Sequence, residues 1–114
     1  MTKLGRLRRR ADFARVRANR DRISLKSMLA FRSPAATSES RLGISVTTRT
    51  GNAVRRNRIR RRLRAAFNAG IHAAPAPLDI VAIGRPAAAE LPFSVLIRHC
   101  RRVLEAPLRS PSSN

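Results

Sequence analysis

Residues 41–70 read RLGISVTTRTGNAVRRNRIRRRLRAAFNAG, and two different hydrophobic periods meet in this stretch. Its first nine residues alternate between apolar side chains and small or polar ones, which predicts a strand over residues 41–49. The pair Gly51-Asn52 interrupts that pattern, and a helix is predicted over residues 53–69, with Gly70 able to end it. A strand that leads directly into an amphipathic helix is typical of mixed α/β proteins.

The predicted helix has two chemically different sides. At roughly 100° per residue, its apolar residues fall in one stripe. That stripe consists of Ile59, Leu63, Ala66 and Phe67. Residues 55–64 hold seven arginines and no acidic residue. Like charges three or four residues apart in this segment would cost about 1 to 3 kcal/mol at low salt, so the cluster indicates a polyanionic partner rather than a merely solvated face.

The positive charge of the chain is concentrated in two segments. The 114 residues include 25 Lys plus Arg against 6 Asp plus Glu, a net charge of +19. Residues 1–26 and 55–64 together carry +15 of it, and such localisation is typical of a binding surface. The length and the 43% hydrophobic content predict one domain over residues 1–106. Within that plan, residues 1–10 are a basic N-terminal arm and residues 107–114 a disordered Pro/Ser-rich tail.

The remaining elements follow from shorter patterns. They are a helix over 11–17, a strand over 23–32, a buried strand over 78–83 and a last helix over 93–104 that stops before Pro107. Parity in the strand over 23–32 places Leu25, Leu29 and Phe31 on one face. The order of elements predicts a single sandwich of helices against one sheet, in which residues 41–83 can form a parallel crossover unit.

A second surface is predicted on the sheet face opposite the apolar residues of strand 41–49. Ser45 and Thr47 point to that face by parity, and Phe13 and Phe31 would complete a groove for single-stranded nucleic acid. Composition alone favours the alternative in which both phenylalanines are core residues. A similar choice concerns Asn57, whose amide can bond a base edge or a 2′-hydroxyl, or can tether a neighbouring loop.

No catalytic or metal-ligating constellation is predicted in the chain itself. The two histidines lie far apart without an acidic or cysteine partner at metal-ligand spacing, and Cys100 is predicted to be a core residue. The six carboxylates are dispersed, whereas two-metal phosphoryl chemistry needs them clustered. The chain has no long apolar run and no signal sequence, which predicts a cytoplasmic protein that is not associated with a membrane.

Several of these segments resemble the signature of the bacterial ribonuclease P protein component. The Arg-Asn-Arg core of that signature falls at residues 56–58, within the stretch quoted above. The resemblance extends to Leu7 with Asp12-Phe13, and to Asp79-Ile80-Val81 through Arg85-Pro86. It covers roughly residues 4–105.

The resemblance implies a protein subunit that joins a catalytic RNA in removing the 5′ leader of precursor tRNA. Catalysis and the Mg²⁺ would belong to the active site of the RNA, and the protein alone would be inactive. Outside the holoenzyme the protein would be a monomer. No DNA partner is expected. The implied fold is an α+β, two-layer α/β sandwich in the order helix-strand-strand-strand-helix-strand-helix. Its β-α-β crossover would be left-handed, against the general rule.

The resemblance also assigns two groups of residues. Contacts to the catalytic RNA would come from Arg55, Arg56, Asn57, Arg58, Arg60, Arg61, Arg62 and Arg64. The cleft for the leader would be lined by Phe13, Arg17, Phe31, Ser45, Thr47 and Arg49. Arg17 stands where many relatives have an aromatic residue, and Thr48 replaces a common basic one. Weaker stacking and stronger phosphate contact are therefore expected.

Two other functions fit the charge. A structural ribosomal or general RNA-binding protein would use the same arginines without a role in precursor tRNA processing. A DNA regulator fits less well, because neither a heptad zipper nor a helix-turn-helix pattern accompanies the arginines.

Overall fold

The computed structural model describes residues 4–108. In that part of the chain, the strands are β1 (Leu4–Arg6), β2 (Asp21–Ser24), β3 (Met28–Pro34), β4 (Ser40–Ser45) and β5 (Leu78–Gly84). The helices are α1 (Arg10–Ala18), α2 (Ala53–Gly70) and α3 (Phe93–Glu105). Short 3-10 turns occupy Thr48–Thr50, Ile71–Ala73 and Pro86–Ala89. The predicted α+β order of elements is confirmed, and β1 is an additional strand.

The strands form one mixed sheet in the order β1-β4-β5-β3-β2. Because β4 and β5 are parallel neighbours joined through α2, the predicted crossover unit is confirmed. Its left-handed sense stays a prediction from the family resemblance. β1 pairs in parallel with the outer edge of β4, from Leu4 opposite Ser40 to Arg6 opposite Leu42. The described part of the N-terminal arm is therefore docked on the sheet.

The main core lies between the sheet and the pair α2 and α3. All four residues of the predicted α2 stripe are fully buried there, together with Leu42 and Ile80 from the sheet. Burial of each large apolar side chain among them contributes about 1.5 to 3 kcal/mol. Helix α1 lies on the other face, where a smaller cluster joins Val16 to Phe31 and Val81. The sheet, α2 and α3 make the two layers of the sandwich, and α1 leaves part of its own face open.

The start of α2 is fixed by the two residues that interrupt the sequence pattern. Gly51 has φ of 144°, a conformation that L-residues with a side chain rarely adopt. Asn52 is the N-cap, and its Oδ1 accepts from the backbone N–H of Arg55 at 2.9 Å. Such a cap contributes about 1 kcal/mol and orients the arginine-rich helix.

Two predicted strands differ from the structure. The strand over 41–49 ends at Ser45, since the backbone then turns into the 3-10 segment Thr48–Thr50. The strand over 23–32 is a hairpin, in which Leu25 and Met28 exchange backbone hydrogen bonds of 2.8 and 3.3 Å. This turn changes the parity, so Leu25 packs against the α2–α3 core while Leu29 and Phe31 face α1.

The first residues of the predicted tail are held by the domain. The carbonyl of Pro107 accepts from Arg32 Nη2 at 3.0 Å, and Leu108 packs against the main core. Arg32 is itself buried and paired with Asp21 through 2.8 and 2.9 Å hydrogen bonds. It also donates to the carbonyl of Val103 at the end of α3. Residues 109–114 lie outside the described part of the chain, so their disorder stays a prediction.

Candidate nucleic-acid interface

The residues predicted to contact the catalytic RNA all lie on α2. This α2 arginine surface comprises Arg55, Arg56, Asn57, Arg58, Arg60, Arg61, Arg62 and Arg64. Within residues 4–108, the one carboxylate that pairs with it is Glu90, 3.5 Å from Arg55 and itself 74% exposed. A single exposed carboxylate leaves nearly all of this charge uncompensated, as expected for a phosphate-binding surface.

Three members of the α2 arginine surface also hold the turn between β5 and α3. Arg55 Nη2 donates to the carbonyl of Pro86 at 3.4 Å. Arg58 Nε donates to the carbonyl of Ala89 at 2.9 Å. Arg62 donates from Nη1 to Ala88 at 2.7 Å and from Nη2 to Leu91. Both terminal nitrogens of Arg62 donate to backbone carbonyls, so this side chain positions the turn, and its contact to RNA stays a prediction.

Other arginines of this surface keep their terminal nitrogens available. Arg56 uses only Nε, which donates to the carbonyl of Gly51 at 3.2 Å. Arg61 is exposed and forms no hydrogen bond or ion pair within residues 4–108. The pKa of Arg64 is lowered by burial and, secondarily, by the positive charge of Arg6. An arginine strained by a like charge is stabilised when a phosphate supplies the missing anion.

Asn57 is exposed and held within its own helix. Its Oδ1 accepts from Arg60 Nη1 at 3.1 Å. Among the described residues no neighbouring loop bonds to its amide, so the tether alternative is not realised. Its Nδ2 donor remains free to meet a base edge or a 2′-hydroxyl.

The opposite face of the sheet carries the predicted cleft, and Gly43 shapes it. A Cβ on Gly43 would lie 2.4 Å from Phe13 Cζ, so the ring can rest on β4 only because this residue has no side chain. Gly43, Val81 and Phe31 are register partners across β4, β5 and β3. Phe31 is only 8% exposed and Phe13 is half-buried, so both also serve as core residues.

The next row of the sheet forms the floor of this cleft. Ser45, Ile83 and Leu29 are register partners there, and Ser24 continues the row on β2. Ser45 and Ser24 are exposed, while Ile83 and Leu29 are half-buried. Sequence reasoning did not assign Ile83 to the cleft, although its parity with Val81 in β5 is a signal that could have done so.

Two cations lie beside Phe31 at one side of the cleft. The Arg17 guanidinium carbon lies 5.5 Å from the centre of the Phe31 ring, a cation–π contact. Arg22, which sequence reasoning missed, is the exposed register partner of Phe31 on β2. Thr47 and Arg49 are exposed but lie beyond the end of β4. The structure therefore brings Phe13, Phe31, Arg17 and Ser45 together, with Thr47 and Arg49 past the end of the strand.

A buried carboxylate fixes α1 over this cleft. Asp79 is fully buried and accepts from Arg15 Nη2 at 2.5 Å, from Arg41 Nη2 at 2.9 Å and from the Ala36 N–H at 3.2 Å. Burial alone would raise the pKa of Asp79, but the hydrogen bonds from Arg41 and Arg15 outweigh it and the pKa is lowered. Sequence reasoning missed this network, because its partners lie far apart along the chain.

The described residues do not fit a metal ion. No three His, Cys, Asp or Glu side chains come together within residues 4–108. Asp12 and Asp79 share Arg15 and Arg41 as ion-pair partners, so arginines already neutralise both carboxylates. Burial raises the pKa of the Cys100 thiol far above its ordinary value. No helix in the described ranges is long and apolar enough to cross a membrane.

An arginine-covered helix on one face of a sheet and an aromatic cleft with cationic edges on the other define a small nucleic-acid-binding α/β protein. The ribonuclease P family model matches residues 1–107. The ribonuclease P protein component of Paramagnetospirillum magneticum is 40% identical over 102 residues, covering 84% of this chain and 77% of that protein. The one from Brucella melitensis biotype 1 is 40% identical over 111 residues, covering 89% and 78%.

Solved structures show the same likeness. The ribonuclease P protein of Staphylococcus aureus has a TM-score of 0.74 at 28% identity, covering 90% of this chain and 94% of that chain. That of Thermotoga maritima has a TM-score of 0.74 at 27% identity, covering 88% and 94%. This chain belongs to the ribonuclease P protein family. Its role is that of the protein subunit of an RNA-binding ribonucleoprotein that processes tRNA.

Proposed function

We propose that the two surfaces bind two different RNAs at the same time. The α2 arginine surface binds the catalytic RNA of ribonuclease P, and the cleft beside α1 binds the 5′ leader of precursor tRNA. The observation that carries this proposal is their placement on opposite faces of one sheet, so that neither RNA blocks the other.

The cleft suits a single strand of variable sequence. The half-buried Phe13 offers ring surface for a base, and Arg17 and Arg22 lie beside Phe31 for the backbone phosphates. Stacking contributes about 1 to 3 kcal/mol per base and accepts every base, because each has a π-face. The protein thereby distinguishes precursor tRNA from mature tRNA, which has no leader to occupy the cleft.

Cleavage is proposed to reside in the catalytic RNA, together with the Mg²⁺ that it holds. Support comes from the carboxylates of this chain. Asp12, Asp21 and Asp79 each pair with an arginine, and Glu39, Glu90 and Glu105 are exposed at separate places. None of them is free to work in pairs on a phosphodiester. The protein works in the cytoplasm and is a monomer outside the holoenzyme.

Reconstituted cleavage tests this proposal. Precursor tRNA is incubated with the catalytic RNA at low Mg²⁺, with and without the purified protein, and with the protein alone. The protein should restore cleavage by the RNA and should cleave nothing by itself. Cleavage at the mature 5′ end by the protein alone would overturn the division of labour. Equal affinity for ribosomal RNA and the catalytic RNA, with no stimulation, would point to a general RNA-binding protein.

A further inference from the structure

Phe93 is an exposed aromatic residue that the fold does not use. It is the first residue of α3 and belongs to the apolar stripe predicted for that helix, yet 41% of its surface is exposed. Later members of that stripe, such as Leu96 and Cys100, are fully buried. Within residues 4–108, Phe93 and Val54 are the exposed large hydrophobic side chains. A lone exposed apolar residue is ordinary, so the meaning of Phe93 depends on its neighbours.

Three arginines of α2 surround the Phe93 ring. Arg58, Arg61, Arg62, Ala65 and Phe93 line a shallow pocket of about 230 Å³. No acidic residue lines it. An exposed ring in a pocket that three arginines also line combines the two features that bind a nucleotide, a flat apolar surface for the base and donors for its phosphate.

Two of these arginines are preorganised. Arg58 is fixed to the carbonyl of Ala89, and Arg62 to those of Ala88 and Leu91, two residues before Phe93. These bonds hold the start of α3 against α2, so the ring and the arginine stems keep one relative position without RNA. Arg61 has no partner within the described part of the chain and can turn its whole guanidinium to a ligand.

We propose that Phe93 is a stacking platform for one unpaired nucleobase of the catalytic RNA, with Arg61 binding a phosphate next to that base. The occupant is assigned to the catalytic RNA because Arg58, Arg61 and Arg62 belong to the α2 arginine surface, whereas the leader cleft lies on the other face of the sheet. The inference rests on the proposed function and adds to it a base contact that the arginines alone do not supply.

A tryptophan reporter tests the stacking directly. The chain contains no Trp and no Tyr, so Phe93→Trp provides the only indole signal. Titration with the catalytic RNA should quench that fluorescence, and inorganic polyphosphate, which has charge but no base, should not. An unchanged signal on RNA binding overturns the proposal. Equal quenching by poly-glutamate overturns it as well, since the pocket would then be one for acidic peptides.

Affinity measurements separate stacking from charge. Phe93→Ala should weaken binding of the catalytic RNA about 5- to 100-fold with the salt dependence unchanged, because a stacked base releases no counterion. Phe93→Tyr should retain the affinity, and Phe93→Leu should not. Arg61→Ala should lower both the affinity and the salt slope, by about one unit of slope. Thermal unfolding of each variant should match the wild-type protein, because the ring is exposed.

Val54→Ala is the matched control, since Val54 is the other exposed apolar side chain, 75% exposed near the start of α2 and outside this pocket. It should leave the affinity unchanged, and a loss equal to that of Phe93→Ala would overturn the assignment to this pocket. Full affinity in Phe93→Ala or Phe93→Leu would overturn it too. Failure of the wild-type protein to bind the catalytic RNA would instead refute the proposed function.

Discussion

Single residues set the distance between α1 and the sheet. Gly43 admits the Phe13 ring, and the buried Asp79 accepts from arginines on both α1 and β4. Neither residue is proposed to contact RNA, yet together they place Phe13 and Arg17 at the edge of the cleft. The cleft is therefore sensitive to changes beneath it.

Gly43→Ala should destabilise the domain and displace Phe13, because the added Cβ would lie 2.4 Å from the ring. Overpacking of this kind typically costs about 1 to 3 kcal/mol. Chemical denaturation measures the change in the free energy of unfolding. The double variant Gly43→Ala/Phe13→Ala should be less destabilised than the sum of the two single variants. Strict additivity would show that the ring does not rest on this glycine.

Asp79 should make the stability fall in acid. Its pKa is lowered in the folded protein from an ordinary value of 3.8, so its contribution is complete above that pH and is lost as the pH falls through the folded pKa. Denaturation at a series of pH values below about 4 should show this loss. Asp79→Asn should be less stable at neutral pH and should have a flatter acid limb. An unchanged acid limb in this variant would show that Asp79 does not cause the loss of stability in acid.

The helix α2 combines two tasks that its sequence does not separate. Its apolar stripe builds the core, and its arginines divide into those that hold the turn at residues 86–91 and those that face solvent. The stripe and the N-cap were predictable, because helical periodicity and Asn52 are local signals, whereas the C-cap is Ile71 and Gly70 is the last residue of the helix. Which arginines bind the protein's own backbone was not, because Ala88 and Leu91 lie 26 and 29 residues away.

Arg56→Ala and Arg62→Ala should therefore behave differently. Arg56→Ala should weaken binding of the catalytic RNA and lower the salt slope by about one unit, with little change in thermal stability. Arg62→Ala should chiefly lower the melting temperature, since carbonyls of the turn lose their donors. Salt-dependent binding and thermal unfolding of the two variants provide the comparison. Identical profiles would contradict the division of tasks.

The contact between α3 and the β2–β3 turn should respond to pH near neutrality. His99 Nδ1 lies 2.8 Å from the Ser27 hydroxyl, and burial, followed by Arg98 and Arg102, lowers the pKa of His99 from 6.5. The folded state thus binds fewer protons in that range, so stability is complete above pH 6.5 and is lost as the pH falls toward the folded pKa. Thermal unfolding between about pH 7.5 and 5 should show the slope. His99→Gln should remove it, and a slope that persists would contradict this assignment.

At the scale of the whole molecule, the sequence predicted the element order and the charged face but not the arrangement of the sheet. The hairpin at residues 25–28 has no Gly or Pro to mark it, and β1 is too short to show a period. The cleft residues Phe13 and Phe31 were predicted by the family resemblance, and the parity of Ile83 with Val81 was a usable signal, while Arg22 emerges only from strand register. The network around Asp79 depends on contacts as distant as 64 residues. Local patterns therefore predicted the helices and strands, whereas strand pairing and contacts between distant residues determine which side chains meet in the cleft.

Opposite faces of one sheet are proposed to bind different RNAs, and one set of affinities distinguishes this arrangement from a single shared surface. Affinity is measured for the catalytic RNA, and then for precursor and mature tRNA on the assembled holoenzyme, with wild-type, Arg56→Ala/Arg61→Ala and Phe13→Ala proteins. The arginine variant should lose affinity for the catalytic RNA alone. Phe13→Ala should keep that affinity and lose about 5- to 100-fold on precursor tRNA with no loss on mature tRNA. Loss of both affinities in both variants, or equal loss on precursor and mature tRNA, would contradict the account.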